Sequence, residues 1–178
     1  MVVRPEAPKE IAVPISIFAS LRQSLTAEAG ALPTIHALHD AGYRAGVEAA
    51  RGLASGAEDP MGLPESAFWD RVTQFFSRRG WGTLTHTKRH EAVGELSAAD
   101  WVEGDHEGDE DASCSFTTGF LSGMLTTLAG GPVAVLEVSC RARGETQCSF
   151  AYGNASAIHE VYGMLLDGSE LDEALSGL

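Results

Sequence analysis

The chain has 178 residues, a formal net charge of −13 and a sequence pI of about 4.7. Hydrophobic residues make up 44% and charged residues 21%, as expected for a globular protein with one domain. So acidic a surface repels nucleic-acid phosphates, which argues against direct nucleic-acid binding. The N-terminus lacks a secretory signal, and no apolar run approaches the ~18 residues of a membrane span. We therefore expect a cytoplasmic protein with reduced cysteines.

The first half of the chain is predicted to be helical. Residues 1–13 carry two prolines and mixed charges, so we expect a flexible arm there. Gly42 and Gly46 lie one helical turn apart in the second predicted helix, and they would let another element approach closely. Apolar residues at helical spacing predict helices over about 15–25, 32–53 and 67–79.

The second half mixes strands and helices. We predict strands in 81–89, 92–104, 133–138 and 148–153, and helices over 116–129 and 155–166. The two later strands flank a short turn and are expected to form a hairpin. This order predicts an α+β (α/β layer) fold, with an antiparallel sheet packed on helices. We assign residues 14–167 to a single domain and residues 168–178 to a C-terminal tail.

Two charged segments are interpreted as solvent-exposed. Residues 105–111 carry alternating acids but lack the Gly and Glu that an EF-type calcium loop needs at its sixth and twelfth positions. His86 and His90 flank a basic pair on a predicted strand, and we expect both at the surface. Neither has a convincing serine or cysteine nucleophile nearby in the sequence, so acyl-transfer chemistry is not indicated.

The second half also holds a possible metal site. Cys114, Cys140 and Cys148 are the only cysteines of the chain, and Glu137 precedes Cys140 by three residues. Zinc prefers four such ligands in a tetrahedron. The hairpin would bring Cys140 and Cys148 together, and Cys114 would add a ligand from the start of a helix. In an ideal strand Glu137 and Cys140 point to opposite faces, so the strand must twist or end near Ser139.

Two other interpretations of these cysteines stay open on spacing alone. Reduced cysteines are often buried without a metal, and the chain has no C-x-x-C pair. A disulfide between Cys140 and Cys148 is sterically possible across the hairpin, although a reducing compartment disfavours it.

The cysteine region resembles the V4R (vinyl-4-reductase-like) domain. The matching motifs are C-x-F-x-x-G-x-x-x-G from Cys114 to Gly123, V-x-E-x-x-C from Val135 to Cys140, and G-x-x-x-C-x-F from Gly144 to Phe150. The G-Y-x-x-G segment from Gly42 to Gly46 fits the family more weakly. Together the strong motifs cover about a quarter of the chain.

This resemblance implies a fold similar to small subunits of vesicle-tethering complexes, pairing as a homodimer, and binding of a hydrophobic or aromatic small molecule. Related domains are the aromatic-sensing input domains of sigma-54-dependent activators, which hold zinc through Cys, Glu, Cys and Cys at this spacing. The resemblance therefore implies Zn²⁺ bound by Cys114, Glu137, Cys140 and Cys148. Another branch is tied to bacteriochlorophyll synthesis, so the alternative is an accessory protein or reductase in tetrapyrrole metabolism.

The chain departs from the sensors in ways that affect its expected function. These residues include no ATPase or DNA-binding region, so a protein partner is expected to carry the output. No nucleotide-binding glycine motif follows a strand, which favours a binding module over an enzyme. Trp101 corresponds to a sensor tryptophan, whereas the matching histidine has no counterpart that we can place. The predicted ligand-binding residues, each of which also suits an ordinary core, are Trp81, Trp101, Phe76, Phe116, Phe120 and Met124.

Overall fold

A computed structural model describes residues 10–54, 62–105 and 113–178. Most of the predicted arm (1–13) and most of the acidic segment (105–111) lie outside the described residues. Within the described ranges the helices are α1 (Ile17–Ala29), α2 (Ala31–Ala54), α3 (Glu65–Ser77), α4 (Ser115–Ala129), α5 (Ala155–Leu166) and α6 (Leu171–Ser176). The strands are β1 (Thr85–Lys88), β2 (Val93–Ala98), β3 (Ala134–Ser139) and β4 (Cys148–Gly153). None of these helices is both long enough and apolar enough to cross a membrane.

The four strands form one antiparallel sheet in the order β1-β2-β4-β3. The predicted hairpin joins β3 to β4, and β4 then pairs with β2 so that Leu96 lies opposite Phe150. Alternate side chains of each strand therefore point to opposite faces of the sheet. Phe150 faces one core and its neighbour Ala151 faces the other.

Helices cover both faces of the sheet. On one face, α2, α3 and α4 bury a large core that includes Phe76, Leu96 and Leu121. On the other face, α5 and α6 bury a smaller core around Val161 and Ala174. Burial of apolar surface on both faces is the main stabilising term of the layers. The predicted α+β fold is confirmed.

Helices α2 and α4 pack with their backbones in direct contact. A methyl group on Gly46 would lie 2.0 Å from the carbonyl oxygen of Phe120, and one on Gly119 would lie 2.0 Å from that of His39. Such distances are far below van der Waals contact, so only glycine fits at these positions. The predicted close approach at the glycines of α2 is confirmed. The four glycines that interlock in this way are Gly42, Gly46, Gly119 and Gly123.

The first strand starts later than the sequence predicts. The first strand begins at Thr85 rather than near residue 81, because the Asp100 carboxylate accepts hydrogen bonds from the Thr83 N–H and hydroxyl and holds this stretch as a loop. The tail contains α6, whose Ala174 and Leu175 are buried in the smaller core. Arg89 also forms an ion pair with Asp172 of α6.

Candidate metal centre

The three cysteines meet at one point although they come from three elements. Cys114 directly precedes α4, Cys140 directly follows β3, and Cys148 is the first residue of β4. The Cys114 sulfur lies 3.8 Å from the sulfur of Cys140 and 3.8 Å from that of Cys148. All three sulfur atoms lie within 4.8 Å of one another and all three residues are fully buried. The cluster can hold a metal ion.

The hairpin has the irregularity that the sequence requires. The register of β3 against β4 shifts between Glu137 and Ser139, and the strand ends at Ser139. A turn of 3₁₀ helix, Arg141–Arg143, then carries the chain back to β4, with Gly144 in a left-handed conformation. The expected break in the strand is confirmed, and it leaves Glu137 and Cys140 on the same side of the sheet edge, both close to Cys114.

The thiols differ in their readiness to ionise. Hydrogen bonds from the Cys114 and Cys140 thiols lower the pKa of Cys148 to about 4, and the Arg141 N–H donates to the same sulfur at 3.5 Å. Hydrogen bonding to Cys140 and Cys148, together with burial, raises the pKa of Cys114. A divalent metal bound by the cluster would stabilise the thiolate forms, because only ionised thiols ligate it.

Glu137 lies at the edge of the cluster. Its carboxylate accepts a hydrogen bond from the Cys114 N–H at 2.9 Å and another from the Arg143 guanidinium at 3.3 Å. Burial, and secondarily the Cys140 thiol, raises the pKa of Glu137 to about 7. In the part of the chain that the structure describes, the group of mutually close ligand atoms contains only the three sulfurs. Glu137 as a fourth ligand stays a prediction.

A second buried carboxylate, Glu103, supports the start of α4. It is 3% exposed and accepts hydrogen bonds from the N–H groups of Phe116 and Thr117, at 3.0 and 2.7 Å. The Thr117 hydroxyl donates to the same carboxylate and accepts from the Trp101 indole N–H at 2.8 Å. Burial raises the pKa of Glu103 to about 7, against these hydrogen bonds, which lower it. Our sequence analysis missed Glu103, since its partners follow it by 13 residues or more.

The backbone of a neighbouring turn packs closely against the cluster and leaves no room for a side chain there. The turn that contains Glu103 continues to Gly104, where a methyl group would lie 2.4 Å from the Cys148 sulfur. Only glycine therefore fits over the candidate metal site. No motif in the sequence marks Gly104, because the contact depends on how the turn lies against the hairpin.

The six predicted ligand-binding side chains pack against one another in the larger core. The Trp101 ring lies 5.3 Å from Phe76 and 5.8 Å from Trp81, between ring centroids. The Trp81 ring also stacks on Phe116, at 5.9 Å and 17°. Phe120 and Met124 belong to the same core. Their role in ligand binding stays a prediction.

His86 is half-buried and makes specific side-chain contacts. Its ring stacks on Trp69 at 4.2 Å and 12°, and its Nε2 atom forms a 2.8 Å hydrogen bond with the Tyr152 hydroxyl. Burial lowers the pKa of His86, although nearby Glu65 opposes the shift. The sequence did not predict these contacts, because they come from α3 and β4, which are far from His86 along the chain.

Comparison with known proteins identifies the region around the cluster. Residues 102–154 match the V4R domain. The predicted resemblance to V4R proteins is therefore confirmed, and the matched residues include the three cysteines and Glu137. No curated protein is similar enough in sequence to match this chain.

Solved structures with the same fold include a sensory domain, a vinyl-4-reductase family protein and a trafficking-complex subunit. The phenol-responsive sensory domain of the transcription activator PoxR, bound to phenol, is 16% identical, with a TM-score of 0.70 over 92% of this chain and 83% of that one. A vinyl-4-reductase family protein from Methanocaldococcus jannaschii is 13% identical, with a TM-score of 0.53 over 81% and 83%. A trafficking protein particle complex subunit 3 from Naegleria fowleri, covalently bound to palmitic acid, is 12% identical, with a TM-score of 0.57 over 78% and 91%.

Proposed function

We propose that this protein is a binding and sensing module for a hydrophobic or aromatic small molecule, and that a structural zinc ion stabilises it. The observation that carries the proposal is the V4R match over residues 102–154, which includes the whole candidate metal centre. The PoxR domain, which has the same fold, is described as phenol-responsive, and this supports an aromatic or similarly apolar ligand.

The sulfur geometry supports zinc. Thiolates about 2.3 Å from a zinc ion in a regular tetrahedron lie about 3.8 Å apart. Cys114 lies 3.8 Å from both other sulfurs. We propose Glu137 as the fourth ligand, because its carboxylate already lies beside Cys114.

Four protein ligands would close the coordination shell and give the zinc ion a structural role. The ion would link the start of α4 to the β3–β4 hairpin. Three thiolates and one carboxylate around Zn²⁺ carry a net charge of about −2, which needs compensation from nearby donors. Arg143 beside Glu137 and the Arg141 N–H beside Cys148 are suited to this role.

We propose that the module acts as a homodimer and through a protein partner in the cytoplasm. Large apolar side chains are exposed along the N-terminal part of the described chain, which a second protein surface would cover. A cytoplasmic location would keep the three thiols reduced and available to the metal. The exposed side chains in this region are Ile11, Val13, Ile15, Leu21, Leu32 and Ile35.

Native mass spectrometry of the purified protein tests these proposals together. We expect a dimer that carries one zinc ion per chain, and extra mass from any ligand that copurifies. A metal-free monomer would contradict both the zinc site and the dimer. A visible absorbance band from a bound flavin or tetrapyrrole would instead favour the alternative role in tetrapyrrole metabolism.

A further inference from the structure

An apolar cavity of about 330 Å³ lies beside the aromatic core, between α3, α4 and β4. None of the six predicted ligand-binding residues lines it. Its walls include Phe68 and Trp69 of α3, Leu125 and Leu128 of α4, Val133, and Tyr152 of β4. The volume lies at the small end of the range for small-molecule sites, which are typically concave and mostly apolar.

Charge at the cavity selects against anions. Among the described residues that line the cavity, Glu65 in the first turn of α3 is the one that carries a charge. The chain as a whole carries a formal net charge of −13. A carboxylate ligand would lose its hydration in an apolar cavity, and the described lining residues offer it no cationic partner. A neutral molecule avoids both penalties.

Trp69 and Tyr152 of the cavity wall are held in place by contacts with each other and with His86 behind them. The Trp69 ring stacks on His86 and lies 5.2 Å from the Tyr152 ring. The hydrogen bond between His86 and Tyr152 fixes the far end of the tyrosine. A methyl group on Gly94 would lie 2.3 Å from the Tyr152 hydroxyl, so this glycine makes room for the tyrosine. The cavity therefore has a rigid aromatic wall, as a preformed site requires.

We infer that this cavity is the ligand site and that its ligand is a neutral, largely apolar small molecule in contact with Trp69. The inference rests on the proposed function, because it names the place and ligand class of that binding activity. The ligand site then lies between α3 and the C-terminal half of α4, and not in the aromatic core around Trp81 and Trp101 that the sequence predicted.

A matched pair of probes tests the ligand class. 1-Naphthalenemethanol and 1-naphthoate share an aromatic body and differ in charge. We expect the neutral alcohol to bind at least about tenfold more tightly than the anion. Glu65→Gln should narrow that difference by strengthening naphthoate binding severalfold, because it removes the negative charge of Glu65. Equal affinities of the two probes for the unmodified chain would overturn the inference about ligand class.

A matched pair of variants tests the place. Ala129 lines the cavity near the exposed end of α4, so Ala129→Phe should fill the cavity without removing a core side chain. We expect it to weaken binding of 1-naphthalenemethanol by about tenfold or more. Ala155→Phe places the same ring at an exposed position of α5, on the opposite side of the sheet, and should leave binding unchanged. Unchanged binding in Ala129→Phe would overturn the site.

The indole N–H signals of the three tryptophans in an NMR titration separate this inference from the proposed function. We expect 1-naphthalenemethanol to shift the Trp69 signal and to leave those of Trp81 and Trp101 in place. Movement of Trp81 and Trp101 without Trp69 would overturn the cavity and leave the binding function standing. Failure of both probes to bind or to shift any of the three signals would overturn the cavity and also count against the proposed function.

Discussion

The cysteine cluster and the apolar cavity lie near opposite ends of α4, and they differ in how the sequence encodes them. The cluster is built from the start of one helix and from one hairpin, so most of its residues lie close together in the sequence and form a recognisable motif. The cavity is the space left where α3, α4 and β4 fail to fill a volume, and its walls come from distant segments. A polar site of this kind can be predicted from a motif, whereas a cavity depends on the packing of the whole domain.

The largest effect is expected from a substitution that removes one metal ligand and leaves the cavity residues unchanged. Cys148→Ser should abolish zinc binding and destabilise the fold by several kcal/mol, because zinc binding and folding are coupled. Metal content and thermal unfolding measure this effect. Thr146→Ala, in the exposed turn of the same hairpin, serves as the control. Full stability and unchanged dimerisation of Cys148→Ser would contradict a structural role for the metal.

The next largest effect is expected from a substitution between α2 and α4, because α4 contributes to both the cysteine cluster and the cavity. Gly46→Ala would push a methyl group into the Phe120 carbonyl and separate α2 from α4. We expect a loss of about 1–3 kcal/mol or more in the free energy of unfolding, measured by urea denaturation.

Gly163→Ala is the matched control for Gly46→Ala, since nothing lies within 4 Å of a methyl group at this position of α5. It should gain about 0.5–1 kcal/mol through the higher helix propensity of alanine. Equal effects of the two variants would disprove the tight contact between α2 and α4.

A smaller change should separate the two regions. Gly104→Ala would bring a methyl group against the Cys148 sulfur, so we expect about tenfold weaker zinc binding in a chelator competition. Binding of 1-naphthalenemethanol should not change, because Gly104 does not line the cavity. Gly131→Ala has open space around its methyl group and is the control. Unaltered zinc affinity in Gly104→Ala would contradict the close approach of Gly104 to the Cys148 sulfur.

The smallest expected effect concerns His86, which contacts two residues of the cavity wall, Trp69 and Tyr152. Because burial lowers the pKa of His86, the folded chain disfavours the charged ring relative to the unfolded chain. The stability contributed by this residue is complete above the unfolded-state pKa of 6.5 and is lost as the pH falls through the lower folded-state pKa. Partial exposure keeps the effect small.

Melting temperatures from about pH 8 to about pH 5 measure the His86 effect. His86→Asn should lose less stability over this range than the unmodified chain, whereas substitution of exposed His159 by Asn should behave like the unmodified chain. A parallel loss in all three proteins would mean that His86 does not titrate differently in the folded state.

Much of the fold was predictable because its patterns are local. Apolar spacing located the helices, and Gly42 and Gly46 indicated the close helix contact. The hairpin prediction brought Cys140 and Cys148 together, and the face conflict at Glu137 required the break near Ser139. Each of these predictions needed only neighbouring residues and simple geometry.

The parts that escaped prediction depend on contacts between distant segments. His86 and Tyr152 are 66 residues apart, and their hydrogen bond exists only because β1 and β4 both flank β2. Glu103 caps a helix that begins after it in the chain, across a stretch of acidic residues. The candidate ligand residues chosen for their aromatic character pack as a core, since large rings fill space as readily as they bind ligands.

The contact between α2 and α4 also has a mechanical consequence. α4 has 15 residues, so it is about 22 Å long. Because its backbone touches that of α2 at successive turns, neither helix can slide or bend without opening a gap along the other. The two helices should therefore move together as one rigid body. A molecule that shifts the cavity end near Leu128 would thus displace Cys114 at the other end, with no chain of rearranging side chains between them.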